Sequence, residues 1–149
     1  MINIRVQPED FDPGVEIAAL HTARTDIGAV ASFTGLVRSD GKLESMTLEH
    51  YPAMTMRALR EIADVAENRW PLHGGTIIHR HGRLLPGARI VLVAVASAHR
   101  VAAFDACAYL MDWLKTRAPF WKLEQTADTR RWVDAKTEDD IATDRWRQE

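Results

Sequence analysis

The chain has 149 residues, 46% of them hydrophobic, with 19 Lys and Arg against 21 Asp and Glu and a formal net charge of −2. That length predicts one globular domain over 1–149, able to bury a sizeable core, and the near balance of charge argues against a general nucleic-acid or membrane-surface binder, so any anion site must be a local cluster. The single cysteine, Cys107, excludes an intramolecular disulfide and a multi-cysteine zinc site, while the lack of a membrane-length apolar run or a visible signal peptide reads as cytoplasmic.

In chain order, Ile2, Ile4 and Val6 alternate and predict a short strand at 1–6. Asp12-Pro13 has the form of an N-cap followed by proline at the first helical position, opening a helix to about Ala23. Gly28 to Val37 predicts a second strand, with Gly35 suited to a bulge or a close backbone approach. Arg38-Ser39-Asp40-Gly41-Lys42 is turn chemistry, and the strand from Glu44 to Tyr51 after it suggests a hairpin. Met46, Leu48 and His50 share one side of that strand. Pro52 breaks it, and a helix from about Met54 to Arg69 carries Leu59, Ile62, Ala63 and Ala66 as its apolar stripe.

Thr76 to Arg83 predicts a further strand, and Leu85-Pro86-Gly87 turns the chain into Arg89 to Ala96, a run apolar enough to be buried on both faces. The helix that follows starts at Ser97 or His99 and ends before Pro119, with Val101, Phe104, Ala108, Met111 and Leu114 expected on its apolar face. Two short strands, 120–126 and 131–135, precede a charge-rich tail from Lys136, in which Ile141 and Trp146 fit a short helix or a docked segment. The order β-α-β-β-α-β-β-α-β-β is not a regular βα alternation. It predicts an α+β fold, a mainly antiparallel sheet with packed helices.

The chain has no glycine-rich dinucleotide or phosphate loop and no H-E-x-x-H. His79 and His81, two apart in a strand, would face one side, but no acidic or cysteine partner completes a metal set, and they read as a polar sheet face. What remains is cationic and aromatic. His99 and Arg100 stand where strand becomes helix, Arg38 follows a strand, and Lys115 and Lys122 flank A-P-F-W. Cations in a last helical turn also complement the helix dipole, so Lys115 and Arg117 have an ordinary explanation. Lys122, between Trp121 and Leu123, is harder to explain that way, because lysines beside apolar walls serve in proton transfer or covalent chemistry. Residue types and spacing together describe a pocket for a small anionic ligand.

The strings F-T-G-L-V-R, L-E-H-Y-P-A-M, S-A-H-R, L-K-T-R-A-P-F-W-K and R-W-V-D-A occur in that order between about Gly28 and Ala135. In this the chain closely resembles the large, catalytic subunits of molybdopterin synthase, the MoaE family. The resemblance implies a fold of the α/β-hammerhead type and a sulfurtransferase of molybdenum cofactor biosynthesis. Such an enzyme converts cyclic pyranopterin monophosphate into molybdopterin, with both sulfurs arriving on the C-terminal Gly-Gly thiocarboxylate of a small ubiquitin-like subunit. It further implies a heterotetramer built on a dimer of large subunits, and no metal, nucleotide or other cofactor. By the same resemblance Lys115 is the principal catalytic residue, and Lys122 holds the tail or the intermediate and shares proton transfer. Arg38, His99 and Arg100 bind the substrate phosphate, the last two supplied by the other large subunit. Phe33, Met111 and Pro119 line the pocket, while the long apolar strand and the aromatic-rich late segment serve interfaces. Two departures stand out: the Arg38–Lys42 turn is shorter than in some relatives, and Lys136 stands where relatives can carry arginine, which would cost bidentate phosphate binding.

Overall fold

A computed structural model of the chain describes residues 1–133 and 137–147. The elements are β1 (Ile2–Gln7), α1 (Pro13–His21), β2 (Ala29–Leu36), β3 (Leu43–His50), α2 (Pro52–Arg69), β4 (Leu72–Arg80), β5 (Gly82–Leu84), β6 (Arg89–Ser97), α3 (Arg100–Arg117), β7 (Phe120–Thr126), β8 (Arg130–Val133) and α4 (Thr137–Asp144). They form two four-stranded sheets, ordered β1-β4-β6-β2 and β5-β3-β7-β8. Every strand pair is antiparallel except β1 with β4, so the α+β, mainly antiparallel expectation holds.

β6 lies between β4 and β2 and is buried from Val91 to Ser97. Its side chains alternate between two cores. Val91, Val93 and Val95 pack with Leu59, Ile62 and Ala66 of α2 and Ala103, Ala106 and Leu110 of α3, whereas Leu92 meets Phe11 and Ile78 on the other face. Central placement makes this strand core, and the expectation that it serves an interface is corrected. α1 opens as its sequence predicts, with the Asp12 carboxylate accepting from Gly14 N at 2.9 Å and Pro13 at the first position. α2 buries all four residues of its expected stripe.

Three other expectations change. β2 and β3 do not form a hairpin: β2 pairs only with β6 among the described strands, β3 pairs with β5 and β7, and the Arg38–Lys42 segment carries the chain from one sheet to the other. Val37 fixes this divergence, its N–H donating to Ala88 O at 2.8 Å and its side chain joining Leu48 and Leu84 in a third cluster. The expected strand 76–83 is likewise two strands in different sheets. Gly82, at φ +89°, takes the left-handed turn that redirects it. In α3 the core face is Ala103, Ala106, Cys107, Leu110 and Leu114, the first three small enough to let the helix approach the sheet closely, while Val101 and Phe104 are 65% and 66% exposed.

Gly35 marks the expected bulge, and what approaches it closely is a side chain rather than another backbone. The β2–β6 register shifts between Gly35 and Leu36, and a Cβ at Gly35 would stand 2.7 Å from Val91 Cγ1. The tail forms the short helix α4 with Trp146 packed against the first core. Residues 134–135 of the expected last strand, and Lys136, lie outside the described residues.

Candidate active site

At the seam between the two sheets, under the C-terminal end of α3, lies a cavity of about 490 Å³. Each wall has its own support. β2 contributes Phe33 and Gly35, and Arg38 follows just beyond the strand. α3 contributes Met111, Leu114 and Lys115 from its last turns, on the same side of the helix by their three- and four-residue spacing. β7 runs back from the end of α3, so Phe120 and Lys122, two apart, point to the same side of their sheet and into the cavity. Lys122 stands opposite Leu48 on one neighbour and Val133 on the other, and is half-buried. β4 closes the back with His79.

Five of the eight residues singled out from the sequence therefore meet in one place: Phe33, Arg38, Met111, Lys115 and Lys122. Pro119 does not line the cavity; it joins Ala118 and Phe120, which do. His99 and Arg100 are exposed at the opposite end of α3. Arg100 is 15 residues from Lys115, roughly 22 Å at the helical rise. Within one chain these two cannot reach the cavity. The His99 side chain makes no capping hydrogen bond to the helix it precedes.

Sequence reasoning missed His79. It is 6% exposed, so the polar-sheet-face reading is corrected: T-I-I-H-R ends a buried strand, and the imidazole continues its inward face. Its ring lies flat on Phe120, with centroids 3.8 Å apart and planes 11° apart, and Nδ1 is 2.8 Å from the Arg80 carbonyl. Burial holds its pKa down at about 4, and the charge of Lys122 acts in the same direction. His50 stacks on Phe120 at 5.2 Å and meets His81 at 4.6 Å, so two half-buried imidazoles back the same wall. Burial, then His81, lowers the pKa of His50.

Among the described residues, the cavity walls carry three basic side chains (Arg38, Lys115 and Lys122) and no carboxylate. Largely apolar walls with converging positive charge favour an anion. No group of three or more His, Cys, Asp or Glu among the described residues is arranged to hold a metal ion. Nor is any described helix long and apolar enough to cross a membrane.

Comparison with known proteins agrees with this geometry. A family model described as "MoaE protein" matches residues 6–117. The molybdopterin synthase catalytic subunit of Ralstonia nicotianae is 57% identical over 149 residues, covering 98% of this chain and 85% of the relative. The solved molybdopterin biosynthesis MoaE protein of Burkholderia ambifaria is 51% identical, with a TM-score of 0.86 and full coverage of both chains. Molybdopterin synthase from Staphylococcus aureus, 32% identical, superposes with a TM-score of 0.79 over 87% of this chain and 96% of that one. With a family match across most of its length and a relative more than half identical over nearly all of it, this chain belongs to the MoaE family.

Proposed function

We propose that the chain is the catalytic subunit of a molybdopterin synthase, a sulfurtransferase of molybdenum cofactor biosynthesis. It converts cyclic pyranopterin monophosphate to molybdopterin, taking two sulfurs from the thiocarboxylate tail of a small ubiquitin-like subunit. The observation that carries this reading is the convergence of Arg38, Lys115 and Lys122 on one cavity free of carboxylates among its described walls, in a chain of net charge −2. Substrate phosphate and partner thiocarboxylate are both anions, and both need such a place.

Lys115, on the last turns of α3, is the principal catalytic residue. Its ammonium assists addition of the thiocarboxylate sulfur to the pterin and then hydrolysis of the resulting acyl–sulfur bond, in which water supplies the oxygen, the partner leaves as a carboxylate and the sulfur stays on the pterin. Lys122 holds the tail or the half-sulfurated intermediate and shares proton transfer. Arg38 binds the substrate phosphate at the mouth, and Phe33 and Met111 form apolar walls for the pterin. His99 and Arg100 serve the phosphate of the other large subunit's site, because α3 holds them roughly 22 Å from their own Lys115. Exposed Val101 and Phe104 beside them suit burial in that homodimer. The assembly is a cytoplasmic heterotetramer, two large subunits with a small subunit at each end. The sulfur arrives already activated, so this domain, 1–149, needs no metal, nucleotide or other cofactor.

Purified chain, thiocarboxylated small subunit and cyclic pyranopterin monophosphate should yield the dithiolene product. Lys115→Ala should slow it at least about a hundredfold, the low end of what proton-transfer catalysis supplies. Equal rates would remove Lys115 from the chemistry. No product from the unaltered chain with a competent partner bound would reduce it to a binding module.

A further inference from the structure

His79 faces the cavity and the roles above leave it without a task. Its position is over-determined: the ring is clamped flat on Phe120 and tied through Nδ1 to the Arg80 carbonyl. A carbonyl oxygen only accepts, so Nδ1 carries the hydrogen. The groups around the ring then decide its charge. Lys122 on β7, Lys115 on α3 and Arg38 beyond β2 are cations on the same cavity, while His50 on β3 and His81 at the β4–β5 turn add two more imidazoles behind it. No described cavity wall carries a carboxylate that would favour an imidazolium. Burial and the nearby positive charges hold the ring neutral at physiological pH. A neutral ring with hydrogen on Nδ1 has a lone pair on Nε2. It is thus a fixed acceptor, in electrostatic reach of Lys122, within a cavity whose other polar side chains are the cations and Thr34.

We propose that His79 is a positioning residue for the sulfur-transfer reaction: its fixed Nε2 lone pair attracts the Lys122 ammonium across the cavity, without a direct hydrogen bond in this structure, and biases where that charge stands. An ammonium has three donors, so this attraction coexists with the other interactions of Lys122. The inference rests on the reading of Lys122 as a participant in the reaction. It also explains why Phe120 is planar against the imidazole: any tilt of the ring would move the acceptor.

The test uses the full chain with its loaded small subunit and three substitutions. His79→Phe keeps the stacking and loses both nitrogens, His79→Asn keeps a donor near the Arg80 carbonyl, and His79→Gln restores a polar acceptor near the Nε2 position. The expected result is a roughly tenfold lower kcat for Phe and Asn with KM within about twofold, and substantial recovery in Gln. An acceptor stabilises the ammonium, so its loss should also move the basic limb of the kcat–pH profile to lower pH, by about half a unit or more. A purely structural role would not move that limb. Wild-type kcat and limb in Phe, or no recovery in a folded Gln variant, would overturn the proposal.

Nitrogen NMR of histidine-labelled wild-type chain decides the contact even where substitutions at 79 unfold the protein. It should show His79 neutral, with hydrogen on Nδ1 and an Nε2 resonance that shifts in Lys122→Met. An Nε2-protonated ring, or an Nε2 unmoved by that change, would overturn the proposal. If Lys122→Ala turns over normally, the role of Lys122 falls, and the NMR measurement still reads the His79–Lys122 interaction separately.

Discussion

At the level of single residues, burial sets the chemistry of two side chains outside the cationic trio. The Cys107 thiol packs among Val93 and the alanines of α3, and burial pushes its pKa up to about 11. Only about one molecule in a thousand is a thiolate at pH 8, and the sulfur is covered as well. Iodoacetamide should therefore label Cys107 far more slowly in the folded chain than in urea, as mass spectrometry of the adduct would read. His79 has the opposite displacement. Its pKa is about 4 folded against an ordinary 6.5, so between those values the unfolded chain binds a proton that the folded chain refuses. Stability then rises with pH through that window; the contribution is complete above 6.5 and is lost as pH falls toward 4, on the order of 3 kcal/mol. His50, lowered by burial and His81, adds with the same sign. Urea midpoints should fall from about pH 6.5 to pH 4, and His79→Phe should flatten that slope.

At the level of elements, a close backbone approach holds the start of β2, and side-chain contacts hold α4. A Cβ added at Gly28 would stand 2.0 Å from the Ala98 carbonyl oxygen, and backbone cannot yield as a flexible side chain would. Gly28→Ala should cost about 1–3 kcal/mol, measured by urea unfolding, since it forces the start of β2 off the end of β6. α4 is held by Trp146, which packs edge-on to Trp70 and Tyr109, lies 5.4 Å from the Arg69 guanidinium and donates from Nε1 to Asp112 Oδ2 at 2.7 Å. Trp146→Ala should speed amide exchange in 137–147 while leaving the β4–β6 ladder protected, because Trp146 ties that segment to the first core. Such elements were legible in sequence to different degrees. The β6 strand was clear because burial on both faces leaves an unbroken apolar run. The face of α3 was misread at its start, because Val101 and Phe104 are bulky while the residues that pack, Ala103 and Ala106, are small. Hydropathy follows size, and packing there follows closeness.

At the level of the whole molecule, the cavity combines residues brought together from across the chain. Arg38, Lys115 and Lys122 could be listed from the sequence, and family likeness gave them roles, but their convergence depends on strand partners that no local pattern encodes. The five-residue polar turn after Val37 looks the same whether it closes a hairpin or changes sheets; Ala88, far along the chain, decides. His79 was missed for the same reason, since its importance comes from Phe120 across the seam. Concentrating three cations in a net-acidic chain also makes binding salt-sensitive. Moving from about 0.01 M to 1 M salt shortens the Debye length from roughly 30 Å to 3 Å, so the KM for the phosphorylated substrate should rise steeply while the fold persists. Steady-state kinetics alongside circular dichroism would separate the two.

The support of Phe120 and Lys122 by β7 has a consequence for how the molecule comes into being on the ribosome. A nascent chain stalled before residue 120 has made Arg38 and Lys115 but neither the far wall nor the second lysine. Such a fragment holds no enclosed site in which to capture the pterin. Capture of an anionic ligand therefore requires synthesis past Lys122, the last of the cavity's lining residues in chain order.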